Sequence, residues 1–395
     1  MPVFPLEIFD MVIDEVYYGN FSPDTLHRTV VPTNNTLAKC ALVCRYWLGH
    51  SRALQFKAID LRPPPSDRNP ASPFLDLLKS PVVTITPHVQ HIELFYTDPD
   101  GGFRSHMVFL SSFSALHSVS LELNPSGHNM AAMIQDILLF LRSLEHLKKL
   151  KLTSWTWAAF EQARDCICAC RSLEELEMVG AVGATDFADT TQFSQDNTPL
   201  SSPPGRLKNL KVDSFASELD LLLWLESAVP SMPITILQMN IWPFIKNSLN
   251  ASCGRLLRKL ASNLVKLTIE HRGRLLLVEE SLFGDINLGF NTGLRTLALT
   301  ECTPKVLFDL INQVSSSSIR EINFTVPVHE SYWRQLPYFE GIDSMLQRPN
   351  FAQLETVNIE QRGISGEPSA NIGWVEEKMR LSVARGIIKH KLMLL

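Results

Sequence analysis

The sequence predicts an α/β solenoid, in which a curved sheet of parallel strands carries helices on its convex side, preceded by a small helical unit. Three observations predict it. A short apolar pattern recurs along most of the chain, the residues between its anchors are polar, and the segments between copies have helical spacing.

The pattern is a large apolar residue, two residues, a second, one residue, and a third. It reads as Phe56/Ile59/Leu61, Val89/Ile92/Leu94, Leu116/Val119/Leu121, Leu147/Leu150/Leu152, Leu173/Leu176/Met178 and Leu207/Leu210/Val212. It continues as Ile234/Leu237/Met239, Leu264/Leu267/Ile269, Leu294/Leu297/Leu299, Ile319/Ile322/Phe324 and Leu354/Val357/Ile359. The starts lie 25 to 35 residues apart, and the 298 residues from Phe56 to Leu354 over ten intervals give a period near 30. Strand side chains alternate, so residues two, four and six after each first anchor share the opposite face. They are mostly polar, as in Lys149/Lys151/Thr153, Asn209/Lys211/Asp213 and Thr356/Asn358/Glu360. A sheet buried on both faces would read as unbroken apolar runs, so this one keeps a wet face. Between the strands, Met130–Leu144, Ser217–Val229, Leu249–Ala261 and Pro304–Val314 place apolar residues three and four apart, as amphipathic helices do.

One strand and one helix per period resembles the longer, intracellular type of leucine-rich repeat. That family's Asn or Cys three residues after the third anchor is nearly absent here, with Cys302 the clearest match. Such degenerate repeats imply uneven curvature and some 3₁₀ turns. Residues 63–73 and 181–206, rich in Pro, Ser, Asn and Asp, read as surface insertions. The organisation expected is a helical unit over 1–55, a solenoid over 56–370 and a capping helix over 371–395, its helical stretch running from Trp374 to Leu395.

The N-terminal unit opens with Phe4-Pro5-Leu6-Glu7-Ile8, and Ile8, Val12, Ile13 and Val16 then line one helix face. A second helix is expected across ALVCRYWLGHSR, which contains Leu42-Val43-Cys44-Arg45-Tyr46-Trp47. These two motifs, in this order ahead of repeats, resemble the F-box, and the whole chain is similar to F-box proteins with leucine-rich-repeat-like domains of the fungal type. Phe4 replaces the family's usual Leu, and the connection over 19–36 is longer than in a compact F-box. The resemblance implies a substrate-recognition subunit of a cullin-RING ubiquitin ligase. Its F-box would bind a Skp-type adaptor, and through it a cullin, with Phe4, Pro5, Leu6, Ile8, Ile13, Val43, Cys44 and Trp47 as the adaptor-binding residues. The repeats would hold a protein substrate. Phe95, Val179 and Ile236 are apolar where a wet face is expected, and Lys149, Lys151, Glu175, Glu177 and Lys211 offer charge; these eight are the candidate substrate contacts. A scaffold whose F-box-like segment engages no ligase is the alternative.

Other chemistries find little support. Net charge is −5 and no run of five like charges occurs, which argues against nucleic-acid or acidic-membrane partners. No apolar run approaches the roughly 20 residues of a membrane span. The N-terminal segment carries acids where a secretory leader carries bases, so the cytoplasm or nucleus is expected. There the sequons at Asn34, Asn250 and Asn323 have no weight, and the seven cysteines default to buried thiols. Cys40 and Cys44, four apart, would share a helix face with Trp47, and Cys44 is expected to be buried. In Cys166/Cys168/Cys170 only the outer two share a helix face and no fourth ligand is near, so zinc is not expected. There is no glycine-rich phosphate loop, nucleophile elbow or HExxH, and neither catalysis nor a cofactor is expected. Glu175 and Glu177 are expected to pair across strands with Lys149 and Lys151.

Overall fold

The structure, a computed structural model of the chain, describes residues 6–18, 35–61, 74, 77–80, 84–96, 107, 109–123, 130–153, 160–180, 202–213, 218–228, 233–241, 247–271, 285–327, 337–363 and 377–394. Two compact units divide it, Met1–Leu173 and Glu174–Leu395.

The first unit begins with three helices, α1 (Leu6–Tyr18), α2 (Asn35–Ala41) and α3 (Arg45–Gln55). They close over Ile13, Tyr17, Leu37 and Leu54, with Val16 and Trp47 packed against this cluster. Strands β1 (Ala58–Asp60), β2 (His91–Tyr96), β3 (Ser118–Leu123) and β4 (Lys149–Thr153) pair in sequence order, all parallel. Helices α4 (Met130–Ser143) and α5 (Phe160–Ala169) pack on each other.

The second unit continues the same design. Its strands are β5 (Glu175–Val179), β6 (Asn209–Asp213), β7 (Ile236–Ile241), β8 (Lys266–His271), β9 (Thr296–Thr300), β10 (Glu321–Pro327), β11 (Thr356–Gly363) and β12 (Ile388–Leu394). They too pair parallel and in order. Between them lie α6 (Glu218–Ala228), α7 (Asn247–Leu260), α8 (Pro304–Gln313), α9 (Pro337–Met345) and α10 (Arg380–Ala384).

All eleven expected strands form, and their register aligns the anchors. Leu176, Leu210, Leu237, Leu267, Leu297, Ile322 and Val357 make one ladder across β5–β11; Met178, Val212, Met239, Ile269, Leu299, Phe324 and Ile359 make the next. Every member of both ladders is buried. A one-residue slip would turn a strand's anchors to the wet face, so burial fixes the register. Helices sit on the anchor face: the Phe339 ring of α9 lies 6.1 Å from Phe324, and Cys253 of α7 is 3.7 Å from the Met239 sulfur.

A backbone device repeats beneath this. The carbonyl of the residue just before most strands accepts two N–H donors from the next repeat: Lys57 from Gln90 and His91, Thr235 from Val265 and Lys266, Arg295 from Arg320 and Glu321. No side chain is needed, which leaves these positions free to vary in sequence. Side-chain polar groups also tie neighbouring turns together. Asn291 donates to the carbonyls of Leu257 and Ala261, Ser316 bonds Thr292 and Leu294, and Asn350 donates to Val314. Cys302 is buried as the repeat pattern expects. Turns pack closely enough that a Cβ on Gly293 would collide with the Ser262 carbonyl. The expected 3₁₀ turns occur at Thr86–His88, Ala261–Asn263, Leu288–Phe290 and Pro349–Phe351.

Two expectations are corrected. The C-terminal helix expected over 371–395 is helical in α10, but Ile388–Leu394 is a twelfth strand paired with β11. Its anchors are disguised: Arg385 stands where a first anchor belongs, and its guanidinium donates to the carbonyls of Leu346 and Phe351 instead. The single helix expected across Cys40 and Cys44 is two, broken at Leu42–Cys44, where Cys44 is the extended N-cap of α3. Leu37, Cys40, Trp47, Ser51 and Leu54 would fall on one face of an unbroken helix, so periodicity could not reveal the turn. The expected insertion at 63–73, and the part of the other over 181–201, lie outside the described residues.

Candidate functional site

Helix α1 has three faces. Phe9, Ile13, Val16 and Tyr17 turn inward, the Phe9 ring 5.9 Å from Trp47. Asp10 and Asp14 meet α3, where the His50 ring donates Nε2–H to Asp14 Oδ1 at 2.9 Å and its Nδ1 lies 3.9 Å from Asp10. The third face is apolar and exposed, carrying Ile8, Met11 at 65% and Val12. The break between α2 and α3 exposes three more apolar side chains, Leu42 at 85%, Val43 and Tyr46 at 73%. These six residues form two groups of large apolar side chains left in water within one 50-residue segment, a pattern that marks a protein interface.

Of the expected adaptor contacts, Ile8 and Val43 are exposed, and Trp47 is half-buried on the core cluster. Ile13 is fully buried and is corrected to core. Cys44 is the reverse case, exposed at the helix break rather than buried, while Cys40 is buried in α2. Phe4 and Pro5 lie outside the described residues, and Leu6 begins α1. Met11, Val12, Leu42 and Tyr46 are additions. The alternation of Ile8, Met11 and Val12 with the inward stripe was the signal that would have found the first two.

The eight expected substrate contacts lie on the wet faces of the two units. In the first, register sets Phe95 beside Glu122, Lys149 beside Ser118 and Lys151 beside Ser120. In the second, Glu177 meets Lys211 at 2.9 Å and Glu175 accepts from Asn209 at 3.3 Å. Val179 lies beside Asp213, and Ile236 between Asn209 and Lys266. A half-buried pair such as Glu177–Lys211 adds little stability, roughly 0–1 kcal/mol. Its effect is to hold both charges in place on the surface. Gln238 donating to Glu270 at 3.0 Å and Asn358 donating to Asn323 at 2.5 Å do the same farther along.

At the edge of the first unit's wet face the His91 and His117 rings stand 4.7 Å apart. Burial, then the charges of His117, Lys57 and Lys149, push the His91 pKa down to about 4. Between pH 6.5 and 4 the unfolded chain binds this proton and the folded chain does not, so stability is present above pH 6.5 and is lost as pH falls toward 4. His91→Gln is expected to flatten unfolding free energy against pH in that window by about 1 kcal/mol, allowing for screening at a partly exposed ring. An unchanged slope in urea melts between pH 4 and 6.5 would contradict this.

Two of the three thiols in and just after α5 have the character of core, and Cys168 is half-buried. Cys166 and Cys170 are buried, burial raises both pKa values, that of Cys170 to about 12, and the Cys170 thiol points to the Cys166 carbonyl at 3.4 Å. Among the described residues no group of three His, Cys, Asp or Glu side chains is placed to hold a metal ion, and no helix is long and apolar enough to cross a membrane.

Fold and surface together define an α/β leucine-rich-repeat-like protein with a helical N-terminal segment and polar strand faces. No family model matches the chain, and no curated protein matches it. Among solved structures, the yeast complex of Rad7 and Elc1 matches over 98% of this chain and 93% of that one, with 12% identity and a TM-score of 0.38, a likeness too remote to bear on function.

Proposed function

We propose that the chain is a non-catalytic substrate receptor of a cullin-RING ubiquitin ligase, working in the cytoplasm or nucleus. Helices α1–α3 bind a Skp-type adaptor, and the repeats bind a protein substrate. The observation that carries this reading is the exposure of Ile8, Met11, Val12, Leu42, Val43 and Tyr46 on α1–α3, within and beside the two segments that resemble F-box motifs. A segment that only capped the repeats would have no reason to keep these side chains in water. Adaptor docking would bury them, with Tyr46 and Met11 as central anchors.

The test is capture of purified full-length chain by a Skp-type adaptor. Met11→Asp and Tyr46→Asp are each expected to weaken capture at least tenfold. As both side chains are exposed, unfolding free energy should move by no more than about 0.5 kcal/mol. Capture that survives both substitutions would remove this surface as the docking site. Failure of the unmodified chain to bind would leave the repeat scaffold as the reading.

A further inference from the structure

The N-terminal edge of the first unit's wet face gathers two histidines. His91 on β2 pairs in register with Ser118 on β3, which pairs with Lys149 on β4, and His117 directly precedes that serine. Both imidazoles are half-buried, so each keeps an edge in water, and their rings stand 4.7 Å apart. His117 donates Nδ1–H to the Ala115 carbonyl at 3.2 Å, which leaves Nε2 as the nitrogen for any further bond. The His91 ring nitrogens make no hydrogen bond within the described residues. The charges that move the His91 pKa, those of His117, Lys57 and Lys149, are all positive. Both lysines have other contacts, Lys57 over the Tyr17 ring at 5.8 Å among them, and the positive field at His91 persists with those contacts made. The carboxylates on the same faces of β1 and β2, Asp60 and Glu93, lie one row farther along. Two imidazoles with open nitrogens in a positive field disfavour a metal cation and favour an anion.

We infer that His91 and His117 receive a carboxylate of the partner protein, carried by an acidic side chain. A carboxylate presents two oxygens that only accept, and each imidazole can give it one N–H. His117, with Nδ1–H already placed, donates Nε2–H only as the imidazolium, so binding takes up a proton and is charge-assisted. Ser118 beside His91, and exposed Lys149 beyond it, continue the row of donors. Because the lysines are shared with other contacts, the site balances one negative charge better than the two of a phosphate. The inference rests on reading the repeats as the partner-binding part; capture of the adaptor by α1–α3 is measured without any such ligand, so either can fail alone.

The experiment titrates the full chain, labelled with ¹³C-histidine, with acetyl-Gly-Glu-Gly-amide, its glutamine counterpart and inorganic phosphate. Near about pH 6 the glutamate peptide should shift the His91 and His117 ring C–H signals saturably, with binding at least about tenfold weaker for glutamine. Affinity should rise about threefold or more as pH falls from about 7.5 to about 5.5, where imidazole takes up its proton and the peptide keeps its charge. His117→Ala should abolish that rise and weaken binding at least about fivefold. Ser118→Asp, which sets a carboxylate in register between His91 and Lys149, should weaken binding as well and serves if the first variant misfolds. No saturable shift, an equal response to glutamine, or full affinity in the folded variants overturns the site. Affinity that does not change with pH overturns the proton uptake, and equal affinity for phosphate overturns the carboxylate assignment.

Discussion

Phe324→Ala is expected to destabilise the second unit by about 3–5 kcal/mol, the usual cost of removing a fully packed aromatic. Phe324 is 2% exposed, sits in the anchor ladder between Leu299 and Ile359, and faces the Phe339 ring of α9. In a repeat array each unit is stabilised through its neighbours, so the loss falls on two inter-strand interfaces at once. The cavity opens between a strand and a helix that are each held on both sides, leaving little room for collapse. Leu139→Ala, at an exposed position of α4, should move stability by no more than about 0.5 kcal/mol. Urea unfolding of both variants checks the difference, and a loss below about 1 kcal/mol for Phe324→Ala would contradict the ladder.

Asp343→Ala is expected to cost about 2–4 kcal/mol and to release the last strand ahead of the rest. Asp343 on α9 is 4% exposed, and its two carboxylate oxygens accept the backbone N–H groups of Leu381 and Ser382 at 2.8 Å each. These are free donors at the start of α10, whose own N-cap, Met379, makes no side-chain cap bond. The preceding helix therefore caps the following one. Removing the carboxylate leaves both donors without it, that of Ser382 buried and that of Leu381 partly so. Asp343→Asn keeps one acceptor oxygen and should fall between. Hydrogen exchange of residues 380–394 reads the effect directly, and protection unchanged in the alanine variant would show that β12 is held by its pairing with β11 alone.

The repeat architecture was legible because burial imposes it on the sequence. Each anchor triplet such as Leu267/Leu297/Ile322 must be apolar to make the ladder, and alternation then assigns the polar positions between. The C-terminal strand was not legible because a charged residue, Arg385, replaces a first anchor and satisfies carbonyls with its guanidinium. The break at Leu42–Cys44 was hidden by an apolar phase that runs straight through it. Buried Ile13 and exposed Met11 are two residues apart on a helix that is apolar on two faces, and composition does not say which face is inner. The bond from Asn240 to Asp213 was not legible either, since its acceptor lies 27 residues away on the neighbouring strand.

Should the reading of α1–α3 hold, division of labour within the chain follows from its physics. Apolar groups that water does not favour are gathered in the helical segment, where a constant partner would cover them, while polar side chains fixed by their neighbours line the strands, where selectivity among partners is set by charge and hydrogen bonding. Isothermal titration calorimetry of the full chain against a Skp-type adaptor, at several temperatures, tests this most directly. The account predicts saturable one-to-one binding with a negative heat-capacity change from apolar burial, lost in Met11→Asp. No measurable binding by the unmodified, folded chain would contradict it.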